Sequence, residues 1–545
     1  MTRRFRFFLL PLLLYIAFAA AVYLVEGAEP ELSIDHIAYF KLADGIRVRH
    51  SDGAYWRDFD ALRSYAVLLA YGYDLTASHI MSLKLLLASM TVAYLVAFEH
   101  LLFFFTGSRR LAVLFSLLSA LFVSFGASFW GMTDFAASLH RTLIVPFLVL
   151  ITWFFLRFRD SPWRYATYPL LVALSLLHLS SYHLLLVLLA YEAIDFLILR
   201  RGRLDRRLLF FAAGLCAALI ARYLLGMSGL AFTDFVDDAL ALAFGKVGTL
   251  GHEEAWAIEI YAFPWRNMPP PIATLANILL SYGAIFALSI AGAIAARRHE
   301  GWSELDRVML AFAGAVVAAA YGLQTLLWGL RNLLPIFPIN FEEIRAVSFL
   351  MIPSVYFVSR FVAMLWREGD WNRRAIATAI VFVFVLQPVL VLRASPVGWR
   401  EALVERLTRV GVLKGGDTFR KLYVRQYLGL ASEGPRFYYS VRGVLDWLER
   451  NARQGDRVLT DRNEIQLAGL PVVGVFQNIM AMRVTATSRR AWKNEVDGVA
   501  QALASRDIDS VRRAAKTWNA TLVIVPWSEA GALYQDENFS VLRVE

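Results

Sequence analysis

The chain opens with RRFRFFLLPLLLYIAFAAAVYLV at positions 3–25, followed at positions 33–44 by SIDHIAYFKLAD. The first stretch is an apolar run behind three arginines, and about 20 such residues are enough to cross roughly 30 Å of hydrocarbon. Its apolar part is longer than the core of about 7–15 residues that is usual in cleaved signal peptides. We therefore expect a retained first membrane helix, with the acidic segment just beyond it.

The composition indicates a protein that crosses the membrane several times. Hydrophobic residues make up 58% of the 545 residues and charged residues only 18%, whereas roughly a quarter of a soluble protein is charged. The net charge of +10 comes from short basic clusters between apolar runs, a pattern that orients membrane proteins. This pattern argues against a nucleic-acid partner. The single cysteine, Cys216, excludes an internal disulfide.

Apolar runs alternate with basic clusters and predict eleven membrane helices. All the basic clusters fall on one side when the runs are counted. Because lysine and arginine are retained inside, that side and the N-terminus are expected in the cytoplasm and the C-terminus outside. The predicted spans are 7–25, 77–105, 111–130, 142–158, 165–180, 182–199, 208–227, 272–295, 308–331, 346–366 and 375–392.

The connections on the outer side differ from those inside. Two of them, 26–76 and 228–271, are long and acidic, and functional residues concentrate on loops that a rigid scaffold positions. Residues 393–545 are polar, and their alternating helix and strand patterns predict a small α/β domain outside the cytoplasm. The expected fold class is mainly α: a polytopic transmembrane helical bundle over 1–392, followed by this small C-terminal domain.

This arrangement resembles the GT-C superfamily of integral-membrane glycosyltransferases. The most specific local match is Asp35-His36-Ile37-Ala38-Tyr39 with Ala43 four residues later, which is similar to the acidic first-loop motif of that family. The family motif has two acids, and His36 stands in place of the second. The tail is also similar to the soluble tails of bacterial and archaeal members, in the same order, over the segments 444–448, 455–460, 470–474, 519–525 and 539–544.

The resemblance implies an enzyme of a bacterial or archaeal plasma membrane that transfers a sugar from a polyprenyl-phosphate or polyprenyl-diphosphate donor. The acceptor would be a hydroxyl or amide of a glycan, lipid or protein at the outer face, and the transfer would be inverting. The motif residue Asp35 would be the general base. No ligand cage is visible in the sequence, which argues against a tightly bound ion, while Mg²⁺ or Mn²⁺ stays open as a cofactor.

The chemistry of such a transfer favours Asp35 independently. A carboxylate must take the proton of the acceptor, and a cation must stabilise the departing phosphate, both at the lipid–water boundary. Asp35 follows the end of the first predicted span by ten residues (35 against 25). The alternative is that Asp35 only follows the helix cap Ser33 and is favoured there by the helix dipole. Asp134, in the outer turn between spans three and four, is the candidate second acid or else caps the next helix.

Two arginines oppose the inward bias of arginine in this chain. Arg345 begins the tenth predicted span at the outer face, and Arg141 begins the fourth. We predict that they bind the donor phosphate, with Arg345 the better candidate. The alternative is that they reach lipid headgroups or form salt bridges with Glu343 or Asp134.

Further residues on the outer side are candidates for binding the acceptor or the sugar. One of them, His183, lies in a polar break between spans five and six, although a lone membrane histidine is more often a packing residue. The aromatic residues of the second long loop suit a sugar, but they also suit an interfacial belt. The full set is His36, Tyr39, His183, Glu253, Glu254, Trp265 and Asn267.

Two other functions stay open. A ligase or polymerase of envelope polysaccharide would rely on outer arginine and histidine residues more than on a first-loop acid. A transporter or flippase of lipid-linked sugars would need polar or broken helices at mid-membrane, and many transporters consist of two related halves. The spans carry few charges, with Glu99 and Glu192 near the cytoplasmic ends as exceptions, and no internal repeat is evident.

Overall fold

A computed structural model of the chain describes residues 2–24, 34–59, 63–121, 140–178, 180–200, 206–227, 282, 284–322, 343–367, 370–392, 434–453, 455–462, 465, 470–474 and 486–544. The chain divides into two compact units. The first comprises Met1–Pro30, Tyr55–Thr233 and His252–Leu430, and the second comprises Glu31–Ala54, Asp234–Gly251 and Ala431–Glu545.

The first unit is helical throughout its described part. Its α-helices are α1 (Thr2–Tyr23), α3 (Ser64–Thr76), α4 (His79–Thr106), α5 (Arg109–Leu121), α6 (Val145–Arg157), α7 (Thr167–Leu174), α8 (Ser180–Ile194), α9 (Arg206–Met227), α10 (Ala284–His299), α11 (Glu304–Val317), α12 (Met351–Arg367) and α13 (Trp371–Leu392). Four 3-10 helices cover Tyr55–Asp58, His140–Leu143, Pro162–Ala166 and Glu343–Leu350, and π-helices extend α8 over Asp195–Leu199 and α11 over Ala318–Gly322.

Several of these helices are suited to a bilayer. Among the described residues, five helices are long and apolar enough to cross a membrane: His79–Thr106, Ser180–Leu199, Arg206–Leu225, Glu304–Gly322 and Ala346–Arg367. The protein is therefore a mainly helical, multi-pass membrane protein. The number of eleven spans and their orientation stay predictions.

Helix α3 lies within the segment 26–76, which the hydropathy pattern predicts to be an outer loop. Its N-terminal half is buried, and it forms a hairpin with α4. The turn is well defined, because Ala77 takes a left-handed conformation and the Ser78 side chain accepts a hydrogen bond from the Met81 amide. The approach is close at Gly72, where a Cβ atom would lie 3.0 Å from Cβ of Ser82. Hydropathy alone does not separate this short helix from the loop before it.

A stripe of small residues brings α10 and α12 together. Ser289, Gly292 and Ala296 recur at helical spacing on the buried face of α10. A Cβ atom on Gly292 would overlap the carbonyl oxygen of Phe357 on α12. Only glycine therefore permits this separation of the two helix backbones.

Ion pairs connect the helices at one end of the first unit, which we call the arginine end. It includes the end of α4, where Phe104 lies under the guanidinium of Arg157 from the end of α6. The opposite end, where α5, α7 and α9 finish and α8 begins, is called the far end. The ion pairs at the arginine end are Arg109–Glu99, Arg159–Glu304, Arg164–Glu192, Arg200–Asp195, Arg207–Asp160, Arg360–Asp306 and Arg360–Glu300.

The second unit contains helices on both faces of a five-stranded sheet. Its elements are α2 (Ile34–Arg49), α14 (Gly434–Asn451), β1 (Val458–Leu459), β2 (Val472–Val473), α15 (Ala486–Ala504), α16 (Ile508–Thr517), β3 (Leu522–Val525), β4 (Tyr534–Gln535) and β5 (Ser540–Arg543). The strand order is β2-β1-β3-β5-β4, with β1 parallel to β2 and β3, and β5 antiparallel to β3 and β4.

The alternation of apolar residues in β3 explains the two layers of helices. Leu522 and Ile524 pack with α14 on one face, and Val523 and Val525 pack with α15 and α16 on the other. A strand buried on both faces reads as a continuous apolar run, as β3 does. The sequence predicts strands at 457–460, 472–476, 521–525 and 540–544, and these positions coincide with β1, β2, β3 and β5. Strand β4 is found only in the structure.

A buried carboxylate joins the three central strands at one end of this sheet. Asp456, just before β1, accepts two hydrogen bonds of 3.1 Å from Arg543, one of 2.8 Å from Thr521 and one of 2.8 Å from the Arg453 amide. Burial by itself would raise the pKa of Asp456, but these hydrogen bonds outweigh it and hold the pKa below its usual value. The ionised form of Asp456 therefore stabilises the second unit.

Candidate functional site

The predicted site residues differ in how much of them the structure describes. The backbone is described, without the side chain, for Asp35 and His36 in α2 and for Arg141 and Arg345 in two of the 3-10 helices. Both backbone and side chain are described for Tyr39 and His183. Five predicted site residues lie outside the described residues: Asp134, Glu253, Glu254, Trp265 and Asn267.

The segment after the first apolar helix forms α2. Asp35 is the second residue of this helix, a position where the helix dipole favours a carboxylate. Phe40, Ala43 and Ile46 recur every three residues and are buried, so one face of α2 is packed. Tyr39 lies beside this face and is half-buried. The helix itself is compatible with both roles considered for Asp35, the base and the helix-start residue.

The far end of the first unit holds buried polar side chains in the turn between α7 and α8. His178, Ser181 and His183 are each less than a tenth exposed. Nδ1 of His178 accepts a hydrogen bond of 3.0 Å from the Ser180 amide, so in the neutral ring the proton is on Nε2. His183 is the fourth residue of α8 and is buried just after this polar turn.

The structure brings the segment of Arg345 next to the helix of His183. Arg345 is the third residue of the 3-10 helix Glu343–Leu350, which packs against α8. Tyr282 holds this segment, since its buried hydroxyl donates to the carbonyl of Val347 at 2.6 Å. Two residues that are 162 positions apart in the chain (345 against 183) therefore lie on contacting elements at the far end.

Arg141 also lies in a 3-10 helix at the far end. His140–Leu143 packs against α4 and leads into α6. The backbone positions of Arg141 and Arg345 are thus both at the end opposite to the ion pairs. The salt bridges suggested for them with Asp134 or Glu343 involve side chains outside the described residues.

The charged residues that the sequence places inside the spans have structural partners. Glu99 accepts hydrogen bonds of 2.9 Å from both Tyr15 and Arg109, and Glu192 pairs with the buried Arg164. These residues are at the arginine end, where paired charges join helices. Because Glu99 and Glu192 are already paired with protein groups, neither is a candidate for binding a ligand.

Two carboxylates of the first outer segment were not singled out in the sequence as site residues. Asp58 pairs with Arg63 at 3.0 Å, and Asp74 accepts a hydrogen bond of 2.6 Å from the Tyr55 hydroxyl. Both residues are partnered within the first unit, and Asp74 lies in α3, whose apolar pattern gives no sign of a site. In the part of the chain that the structure describes, no three His, Cys, Asp or Glu side chains converge on a possible metal position.

Arg222 on α9 is another basic residue of the far end, and it is not among the site residues predicted from the sequence. The signal was present, because Arg222 opposes the inward bias of arginine in the same way as Arg141 and Arg345. It is set inside an apolar run, where hydropathy averaging conceals it.

Comparison with known proteins finds similarity at the level of structure. No protein-family model matches the sequence, and no curated protein matches it. The oligosaccharyltransferase of Archaeoglobus fulgidus in its apo form shares 12% identity over 95% of this chain and 69% of its own, with a TM-score of 0.48. ArnT from Cupriavidus metallidurans, bound to undecaprenyl phosphate, shares 13% identity over 97% of each chain, with a TM-score of 0.45.

Both similarities are below 25% identity and have TM-scores below 0.5. At these identities and TM-scores the similarity carries no conclusion about substrate or mechanism.

Proposed function

We propose that the protein transfers a sugar from a polyprenyl-phosphate or polyprenyl-diphosphate carrier to an acceptor hydroxyl or amide at the outer membrane face. Asp35 is the general base, and the transfer inverts the anomeric centre. Arg345, and secondarily Arg141, bind the phosphate of the donor. The acceptor is a glycan, a lipid or a protein.

The observation that carries the proposal is the presence of two arginines at the end of the first unit opposite to the ion pairs. At the arginine end, Arg109, Arg164, Arg207 and Arg360 are held by acidic partners. Arg141 and Arg345 lie near the beginnings of two 3-10 helices at the far end. Two arginines at this end suit a phosphate on a lipid, because arginine binds phosphate with several hydrogen bonds from one planar group.

The first-loop carboxylate supplies the other half of the chemistry. A general base in the transition state contributes about 10²- to 10⁴-fold to a rate. Asp35 is at the start of a helix in a segment that directly follows a membrane helix. The second acid, Asp134, is kept as the candidate that assists it.

Transfer is measured with the full-length protein in liposomes, a polyprenyl-phosphate sugar with a radiolabelled sugar, and a panel of acceptors. Asp35→Asn is expected to lower kcat about 10²-fold or more. Asp44→Asn is the matched control, because Asp44 is on the same helix and pairs with Arg47 at the surface. Full activity in a stably inserted Asp35→Asn protein would refute the role of Asp35.

The stereochemistry and the metal requirement are tested in the same assay. The proton spectrum of the product identifies inversion or retention at the anomeric carbon. Dialysis against a chelator, followed by addition of Mg²⁺ or Mn²⁺, shows whether the transfer depends on a divalent cation. Retention would contradict a single displacement assisted by one base.

The arginine end supports an enzyme over a flippase. A transporter must open each membrane face in turn, usually by moving one group of helices against another. Here the ion pairs Arg159–Glu304 and Arg207–Asp160 join α6, α9 and α11 near that end. Movement of a fluorescent lipid-linked sugar across liposomes, dependent on the protein and unaffected by Asp35→Asn, would instead support transport.

A polysaccharide ligase or polymerase is distinguished from the proposed transferase by the residues on which its activity depends. Such an enzyme would keep its activity in Asp35→Asn and lose it in Arg345→Ala and Arg141→Ala. The proposed transferase loses kcat in the first variant and donor affinity in the other two.

A further inference from the structure

Arg222 faces the helix bundle and not the surface of α9. The exposed face of α9 is apolar, and Leu219 and Tyr223 are 63% and 66% exposed. Gly214, Ala218 and Arg222 follow one another at intervals of four residues, which is one helical turn. Gly214 contacts Tyr165 and Ala218 is buried. Arg222 continues this bundle-facing row, and its Nη1 atom is buried.

The position of Arg222 along the helix places it at the far end. Arg207 is tied to Asp160 at the arginine end by a hydrogen bond of 2.8 Å. The sixteen residues from Arg206 to Arg222 (222 − 206) correspond to about 24 Å of helix. This approaches the roughly 30 Å of a hydrocarbon core. Arg222 is therefore close to the opposite boundary of the membrane from Arg206.

The register between α7 and α9 places Arg222 beside the turn of the α7–α8 hairpin. Asp160 pairs with Arg207, and the ring of Tyr165 contacts that of Phe211. The two segments thus run parallel with an offset of 47 or 46 residues (207 − 160 and 211 − 165). The same offset puts Arg222 level with residues 175–176, where α7 ends and the polar turn begins.

That turn contains hydrogen-bonding groups suited to an anion. His178 and Ser181 are buried in it. Tyr182 follows at the start of α8, and its buried hydroxyl has no hydrogen-bond partner within the described part of the chain. A buried hydroxyl normally has a partner, because leaving it unsatisfied costs about 1–3 kcal/mol. The hydroxyl of Tyr182 thus points independently to a ligand at this end.

We propose that Arg222 and the α7–α8 turn form a binding site for the phosphate of a lipid at the far end of the first unit. This site rests on the proposed function. It adds a second position for the phosphate of the lipid carrier, apart from the segment of Arg345. Arginine inside an apolar membrane helix is costly unless it has a function. A phosphate provides a matched anion for its guanidinium at the depth of the headgroups.

The test is binding of lipid to the full-length protein, measured by native mass spectrometry after delipidation in a neutral detergent. The probes are a polyprenyl monophosphate, the uncharged polyprenol of the same length, and phosphatidylglycerol. Arg222→Gln is expected to raise the Kd for the polyprenyl phosphate at least tenfold, which corresponds to about 1.4 kcal/mol. Arg222→Lys, which keeps the charge, is expected to have a smaller effect.

Arg206→Gln is the matched control, because Arg206 is exposed on the same helix at the arginine end. It is expected to bind the polyprenyl phosphate as the unchanged protein does. The comparison of phosphate with polyprenol uses only the unchanged protein, so it stays informative if a variant fails to fold. Equal affinity for phosphate and polyprenol, or an unchanged Kd in Arg222→Gln, would overturn the site.

The third probe, phosphatidylglycerol, distinguishes a site for ordinary phospholipid from a site for the polyprenyl carrier. Tight, Arg222-dependent binding of phosphatidylglycerol supports the phosphate site and identifies its occupant as ordinary phospholipid. Preference for the polyprenyl phosphate supports a carrier site. Lipid binding is also measured in Asp35→Asn, where it is expected to be intact whether or not transfer is lost. The result for this site is therefore distinct from the result for the proposed reaction.

Discussion

Replacing Arg360 by methionine is expected to destabilise the first unit by removing one partner of a fully buried acid. Asp306 has no exposed side-chain surface, while Arg360 is 19% exposed and contacts both Asp306 and Glu300. Breaking a buried ion pair costs about 3–5 kcal/mol, because the remaining charge stays buried without its counter-ion. Asp306 keeps hydrogen bonds of 2.8 Å from the Ser303 amide and 3.0 Å from the Tyr356 hydroxyl. We therefore expect the lower figure, about 3 kcal/mol.

The free energy of unfolding is measured by titrating the protein with dodecyl sulfate in mixed micelles and following its circular dichroism. The cycle contains Arg360→Met, Asp306→Asn and the double variant. The double variant is expected to cost about 2 kcal/mol less than the sum of the singles, since neutralising both partners leaves no buried charge unpaired. The other partner of Arg360, Glu300, is 47% exposed and can be solvated. Arg367→Met, exposed on the same helix, is the control and should change stability by less than about 0.5 kcal/mol. An additive cycle, or a loss under about 1 kcal/mol for Arg360→Met, would refute this account of the pair.

Three further predictions concern backbone packing and pH. Gly292→Leu should lower the free energy of unfolding in the same titration by roughly 1–3 kcal/mol, because its side chain meets the α12 backbone, and Gly292→Ala should have a smaller effect. Gly474→Ala should destabilise the sheet by about 1–3 kcal/mol, since Gly474 has a φ of +88° and the side chain of Val499 fills the space beside it. The loss of stability is measured by hydrogen exchange of β2 peptides in the full-length protein. The folded pKa of Asp456 is lowered, so its contribution to stability is complete above the unfolded value of about 3.9 and is lost as the pH falls through the folded value. Exchange of β1 and β3 peptides should rise below about pH 4, and an Asp456→Asn protein that shows the same acid dependence would contradict the assignment.

The sequence predicts the parts of the fold that depend on local pattern. Apolar runs of membrane length identify α4 and α9, and the basic clusters coincide with the arginine end of the described first unit. The strands β1, β3 and β5 are found where short apolar segments lie between polar ones. These features follow from burial of apolar side chains, which each segment expresses in its own composition.

The partners of the polar residues could not be predicted in this way. Asp306 and Arg360 are 54 residues apart, and their contact depends on which face of α11 packs against α12. Helix α3 was missed, because a helix of 13 residues is too short to be recognised as a span and was counted with the acidic loop before it. The side-chain arrangement around Asp35 lies outside what the structure describes, so its role as the base stays a prediction.

By itself, the sequence determined that this is a multi-pass membrane protein with a small sheet near its C-terminus, since hydropathy and alternation are properties of each segment alone. It also marked Arg141 and Arg345 as arginines that oppose the inward bias. Only the tertiary structure decided that the segment of Arg345 packs against the helix of His183, and that Arg222 faces the bundle. The physical reason is that burial and charge pairing are decided by the packing of helices that are distant in sequence, and the pattern of one helix does not contain the identity of its neighbour.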